Sequence, residues 1–272
     1  MRVALQAVLF DLDGTLVDLD MDRFLPVYLD ALGRFLSDRL PAETLVEAVL
    51  AATSAMIADV DPGVTNEQAF WREFARRTGF DLPSLREPLE RFYRDVFPGL
   101  GAGARPVPGA PAAVAALRDQ GLKLALATNP IFPRIAIEAR LGWAGIPPGH
   151  FDLIADYETM HACKPQPAFF REICGKLGVA PQQALMVGND PVIDIRGAAR
   201  LGMATFLVEG GAHPGAFERR IGVEVLGEAA AVDPGAGGAA TGDGRAPRRA
   251  GRGPLPALVE FVREFTNRPG LP

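Results

Sequence analysis

Short apolar runs punctuate the chain at 3–10 (VALQAVLF), 122–128 (LKLALAT), 151–157 (FDLIADY), 184–190 (ALMVGND) and 204–209 (ATFLVE). Runs of this length predict strands, and the first is apolar enough to be buried on both faces. Between them, apolar positions recur at helical spacing over 109–120, 131–141, 167–177 and 192–201. Gly121, Gly178 and Gly202 follow three of these segments, where glycine readily ends a helix. Strand then helix, repeated, predicts an α/β fold: a Rossmann-like parallel sheet covered by helices on both faces.

Residues 17–104 break the alternation. RFLPVYLDALGRFLSDRL, AETLVEAVLAATSAMIADV, NEQAFWREFARRTGF and SLREPLERFYRDVF all carry helical spacing with no strand pattern between them. They predict an inserted all-helical domain, with the Gly- and Pro-rich stretch 98–109 as its return linker. The core is then 1–16 with 105–226, joined by 255–267. The tract 227–254 has no large apolar side chain after Val232, so it is expected to be a disordered linker that cannot offset its own ordering entropy. Residues 255–265 return as one amphipathic helix expected to dock on the sheet.

A net charge of -5 over 272 residues and a pI near 5.3 supply no concentrated positive field. Neither nucleic acid nor an anionic membrane is therefore an expected partner. No segment reaches the roughly 18 apolar residues of a membrane span, and MRVALQAVLF lacks the form of a secretion signal. Those features predict a soluble, cytoplasmic protein. Cys163 and Cys174 are the only cysteines, and are expected to stay reduced.

In a parallel α/β sheet ligands bind beyond the carboxyl ends of the strands. The first predicted strand runs into Asp11 and Asp13, the second into Thr128 and Asn129, and the fourth into Asn189 and Asp190, with Asp194 a turn further on. Lys164, one of three lysines, falls in the loop after the third. Four carboxylates on one edge repel one another and call for a hard cation such as Mg²⁺. With Lys164, the Thr128 hydroxyl and the Asn129 amide, they would suit a dianionic phosphoryl group. One carboxylate facing such a group can attack it, while a second protonates the leaving oxygen and then activates water. Asp-Gly is also ordinary turn chemistry, and Asp190 with Asp194 would suit a helix N-terminus.

Taken in order, DLDGTL (11–16), ATN (127–129), CKP around Lys164 and VGNDPVIDI (187–195) resemble the four motifs of the haloacid dehalogenase superfamily. The resemblance covers about residues 3–210, and the helical insert stands where that family carries its cap. It implies a Mg²⁺-dependent phosphatase acting on a small phosphorylated metabolite, with phosphoglycolate-, sugar-phosphate- and nucleotide-phosphatases as the comparable types. Asp11 would form an aspartyl-phosphate and Asp13 would serve as general acid and base. Thr128, Asn129 and Lys164 would hold the phosphoryl group. Asp11, Asp13 through its backbone carbonyl, Asp190 and Asp194 would hold the metal. Gly14 would permit the turn into the cap, and Thr15 would brace it. Asn189 departs from the pattern, standing where many relatives carry the first acid after glycine. In the insert, Arg23, Tyr28 and Arg72 are candidates to face the substrate. A phosphomutase of the same superfamily is the alternative, and a non-catalytic phosphate-binding or regulatory module the reading from a different class.

Overall fold

The computed structural model describes residues 4–210 and 249–267. Six parallel strands form its sheet: β1 (Ala7–Phe10), β4 (Lys123–Leu126), β5 (Leu153–Ile154), β6 (Ala184–Gly188), β7 (Ala204–Val208) and β8 (Ala250–Gly253). The spatial order is β5-β4-β1-β6-β7-β8. The chain thus builds outward from β1 on both sides, the doubly wound plan that opens a crevice at the carboxyl end of its first strand.

Alternation along the strands sends side chains to two cores. Val8, Phe10, Leu124, Leu126, Leu185 and Val187 face one, and Ala7, Leu9, Ala125, Ala184 and Met186 the other. Helices α5 (Ala110–Asp119) and α6 (Arg134–Trp143) cover the first face, and α7 (Pro167–Leu177) covers the second. Both faces are apolar because both are covered, which is why these strands read as continuous apolar runs.

The insert holds four helices: α1 (Met21–Phe35), α2 (Ala42–Ala58), α3 (Asn66–Thr78) and α4 (Leu82–Asp95). It leaves and rejoins the core through an antiparallel pair, β2 (Val17–Asp18) and β3 (Arg105–Pro106). Its N-caps are locally encoded: Asp20 accepts from the amides of Asp22 and Arg23, and Thr65 with Gln68 forms a capping box at α3.

Two segments differ from their sequence-based expectations. Instead of one helix over 192–201, Pro191–Arg196 make a π-helical turn, and only the short α8 (Gly197–Ala199) follows. The Asp190 carbonyl accepts from both Asp194 and Ile195, so the turn is wider than α-helical. The second difference is β8, whose residues fall in the low-complexity tract. Backbone pairing explains it: the Thr205 amide donates to Arg249 and that of Glu209 to Gly253, each at 3.0 Å. Having no side chain, Gly251 also lets the strand lie against Phe206 and Phe261. The rest of the expected linker, 227–248, lies outside the described residues. Helix α9 (Leu255–Asn267) then buries Leu255, Leu258 and Val262 on the first core. Among the described residues no helix is long and apolar enough to cross a membrane.

Candidate active site

β1 lies between β4 and β6, with Phe10 in register with Leu126 on one side and Val187 on the other. The residues that follow, Asp11, Thr128 and Asp190, therefore emerge on one edge, and all three are buried. After Asp11 the chain turns sharply: Gly14 takes a φ of 80°, a conformation that favours glycine. That turn brings the Thr15 hydroxyl 3.1 Å from Asp11 Oδ2 and 3.3 Å from Asn189 Oδ1. Thr15 thus ties the first strand's loop to the fourth motif.

Lys164 is the hub. Its ammonium donates to Asp11 Oδ1 and to Asp194 Oδ1, each at 2.7 Å, with all three side chains buried. Burial alone would push Lys164 down, but the charges of Asp11 and Asp194, and its hydrogen bonds to both, raise it, so it stays an ammonium. Burial pushes Asp194 up, against the attraction of Lys164. The other oxygen of Asp194 accepts from the Asp190 amide at 3.0 Å. This packing needs Gly188 beneath it, since a Cβ there would collide with the Asp194 carboxylate. Asp190 itself caps the π-helical turn, accepting from Val192 and Ile193 at 2.7 and 2.9 Å. The Asn129 side-chain carbonyl accepts from the Lys164 amide at 3.1 Å, which leaves Asn129 and Thr128 beside the lysine loop.

Asp13 has a partner that the motif pattern did not single out. Arg140, in α6, is 1% exposed and donates through Nη1 to Asp13 Oδ2 at 2.5 Å. Its guanidinium lies over the Phe132 ring, 4.5 Å from the centroid. Burial raises the Asp13 carboxyl above its ordinary value and the Asp11 charge adds to the rise, while Arg140 and Lys164 oppose it. A signal for Arg140 was present in the sequence. It shares the buried stripe of α6 with Ala136, Ile137 and Leu141, and an arginine on an apolar stripe is rarely buried without a partner.

The helical insert sits on the same edge. At the start of α3, the amides of Asn66 and Glu67 donate to Met160 and Tyr157 of the loop after β5, at 2.8 and 2.7 Å. The Asn66 side-chain amide reaches the Pro130 carbonyl at 3.2 Å and Cys163 Sγ at 3.4 Å, and Gln166 donates to the Ile57 carbonyl. Cys163 is free and buried, and burial pushes its thiol up to about 12, with Asn66 and Lys164 pulling the other way. An apolar cavity of about 70 Å³ lies between the insert helices and the Ile131–Pro133 segment; none of the motif acids lines it.

The insert candidates divide. Tyr28 is buried, with its hydroxyl 2.8 Å from that of Tyr93 and its ring 5.4 Å from Phe132, which places it beside the Arg140 stack. Arg23 and Arg72 are not drawn into the group around Asp11. Both side chains are solvent-exposed, and they pair with Asp20 and Asp59 of the insert itself.

Known proteins resemble this chain in sequence and in fold. Residues 5–202 match the family model described as haloacid dehalogenase-like hydrolase. The chain belongs to that family of hydrolases. It is 32% identical over 207 residues to the phosphoglycolate phosphatase of Rhodospirillum rubrum, covering 76% of this chain and 80% of that protein. The plasmid-encoded phosphoglycolate phosphatase of Cupriavidus necator is 32% identical over 228 residues, covering 84% of this chain and 88% of that one. Among solved structures, a haloacid dehalogenase-family phosphatase from Thermococcus onnurineus shares the fold at a TM-score of 0.51 and 23% identity, over 95% of this chain and 98% of that one.

Proposed function

We propose that this chain is a Mg²⁺-dependent phosphatase of small phosphorylated metabolites that works through an aspartyl-phosphate on Asp11. The observation that carries the proposal is the pair of carboxylates at the end of β1 with different partners. Asp11 is braced by Lys164 and Thr15, as a nucleophile must be. Asp13 is raised by burial, as suits a group that gives and takes a proton. Relatives that are phosphatases of phosphoglycolate support the reaction class.

The donor set fits the metal. Four largely buried carboxylates, Asp11, Asp13, Asp190 and Asp194, lie at one strand edge, where Lys164 pairs with Asp11 and Asp194 and Arg140 with Asp13, and hard oxygen donors of this kind suit Mg²⁺. Among the described residues no three acidic, histidine or cysteine side chains gather as a metal cluster. Mg²⁺ needs no such cage, since it keeps several waters and takes one or two carboxylates with phosphate oxygens. Asp11, the backbone carbonyl of Asp13, Asp190 and Asp194, the last directly or through water, would hold it. When bound it supplies charge neutralisation for the phosphoryl oxygens.

The chain's own residues then divide the work. An Asp11 oxygen attacks phosphorus while Asp13 gives its proton to the departing oxygen. Water next attacks the acyl phosphate and yields its proton to Asp13, releasing phosphate and restoring Asp11. Lys164 offsets the charge of nucleophile and phosphoryl group, and Thr128 and Asn129 bind phosphate oxygens. The helical insert serves as the cap, seated on the edge by α3, where it limits water and selects the leaving group.

Turnover of p-nitrophenyl phosphate with Mg²⁺ tests this. The expected result is release of nitrophenol and phosphate, abolished by EDTA and restored by added Mg²⁺. Equal rates in EDTA would remove the metal from the account. A panel of phosphorylated metabolites, including phosphoglycolate, sugar phosphates, nucleotides and phosphoserine, would then name the leaving group by kcat/KM.

A further inference from the structure

The two oxygens of Asp13 are treated differently. Oδ2 is bound by Nη1 of Arg140 at 2.5 Å, whereas Oδ1 is buried with no hydrogen-bond partner among the described residues. Arg140 is itself only partly used: Nε and Nη2 are buried without a partner there. Such an arrangement is poor structural economy. A lone buried ion pair is often no more stable than apolar side chains of similar volume, and the position lies on a stripe with Ala136, Ile137 and Leu141 that an apolar residue would suit. Stability does not account for a buried arginine here, but proton transfer does.

We infer that Arg140 is a positioning residue for the hydrolysis: by binding Oδ2 it fixes the rotation of the Asp13 carboxyl and leaves Oδ1 as the oxygen that gives and takes the proton. The Phe132 ring under the guanidinium holds the arginine in plane. In the first half-reaction the Asp11–phosphorus bond forms, the phosphorus–leaving-group bond breaks, and the proton on Oδ1 passes to the leaving oxygen. In the second, water adds to phosphorus, its proton passes to Oδ1, and the Asp11–phosphorus bond breaks. Arg140 keeps its protons throughout. This inference rests on the phosphatase reading above.

Leaving groups separate it from a merely structural role. Nitrophenolate departs without a proton, whereas an alkoxide does not, and both substrates need Asp13 as base in the second step. With p-nitrophenyl phosphate, Arg140→Gln is expected to keep a nitrophenolate burst equal to the enzyme present and to slow the following turnover by about a hundredfold or more. With an alkyl phosphate the burst itself is expected to be lost. A double-mutant cycle completes the test: Arg140→Gln should cost nothing further once Asp13→Asn is in place. If Arg140→Gln gives no burst with either substrate because the site has not folded, the Asp13→Asn background still carries the comparison, since no unpaired buried charge remains in the double variant.

Equal losses on both substrates at intact burst, a higher KM at unchanged kcat, or a double variant well below Asp13→Asn alone would each overturn the role. A wild-type protein that turns over no phosphomonoester would instead overturn the phosphatase reading, so the two failures are distinguishable.

Discussion

Lys164 shows how strongly the site depends on single residues. It is one cation between two buried carboxylates, Asp11 and Asp194. Removing it leaves Asp11 and Asp194 facing each other out of water. Lys164→Met is therefore expected to lower the unfolding free energy by about 3–5 kcal/mol, the usual cost of stripping one partner from a buried pair, measured by urea titration without added metal. A loss under about 1 kcal/mol would mean that solvent reaches the cluster and screens it. At this scale the sequence was legible where residue type and place in a motif coincide. Asp11, Asp13, Thr128, Asn129, Lys164, Asp190 and Asp194 all fall on one strand edge, as their positions after apolar runs imply. Arg140 was not legible from motif spacing, because it lies 127 residues beyond Asp13 and meets it only through the packing of α6 on the sheet. Arg23 and Arg72 erred in the opposite way: helical spacing places a charge on a helix but does not say which neighbour it faces.

Elements hold the site through their ends. The start of α6 is closed by Glu158, whose two carboxylate oxygens each lie 3.1 Å from the Arg134 amide. Burial pushes Glu158 up to about 7 from an ordinary 4.5, against its backbone hydrogen bonds, with Asp156 and Glu67 adding to the rise. The folded protein thus holds this proton to higher pH than the unfolded chain, so stability is lost as pH rises from 4.5 to about 7. Glu158→Gln is expected to raise the Tm at about pH 8 while changing it little near pH 4, where the wild-type group is protonated in both states. Thermal unfolding of the two proteins across that range checks the sign; a lower Tm for the variant at pH 8 would contradict it.

The sheet edge offers a second element-scale test. A Cβ at Gly251 would collide with Phe261 and Phe206, so Gly251→Val is expected to cost about 1–3 kcal/mol by overpacking. It should leave kcat nearly unchanged, since β8 is three strands from β1. Chemical denaturation alongside steady-state assay measures both. The low-complexity composition hid β8 because main-chain hydrogen bonds and missing side chains make this strand, and neither appears as hydrophobic periodicity. The π-helical turn after β6 reads as a helix for a different reason: its apolar spacing is close to helical, and the Asp190 carbonyl shared by the Asp194 and Ile195 amides leaves no mark on that spacing.

For the whole molecule, the alternation of strand and helix was enough to give a doubly wound sheet, and the run of helical spacing after Val17 was enough to give the insert. Tertiary contact supplied what periodicity lacks, namely that α3 is seated on the loop after β5 by backbone hydrogen bonds and that Phe132 and Tyr28 join insert to core. These contacts seat an apolar insert beside a charged edge, as the proposed chemistry on a small anion screened from bulk water requires. Covalent transfer to Asp11 can be caught by acid quenching during turnover of p-nitrophenyl phosphate with Mg²⁺, followed by mass analysis of the peptides. One phosphoryl group is expected on the peptide that spans Asp11, enriched in Asp13→Asn, where nitrophenolate still leaves but hydrolysis is slowed, and missing in Asp11→Asn. Sustained turnover by Asp11→Asn, or a phosphoryl group trapped on another residue, would contradict it.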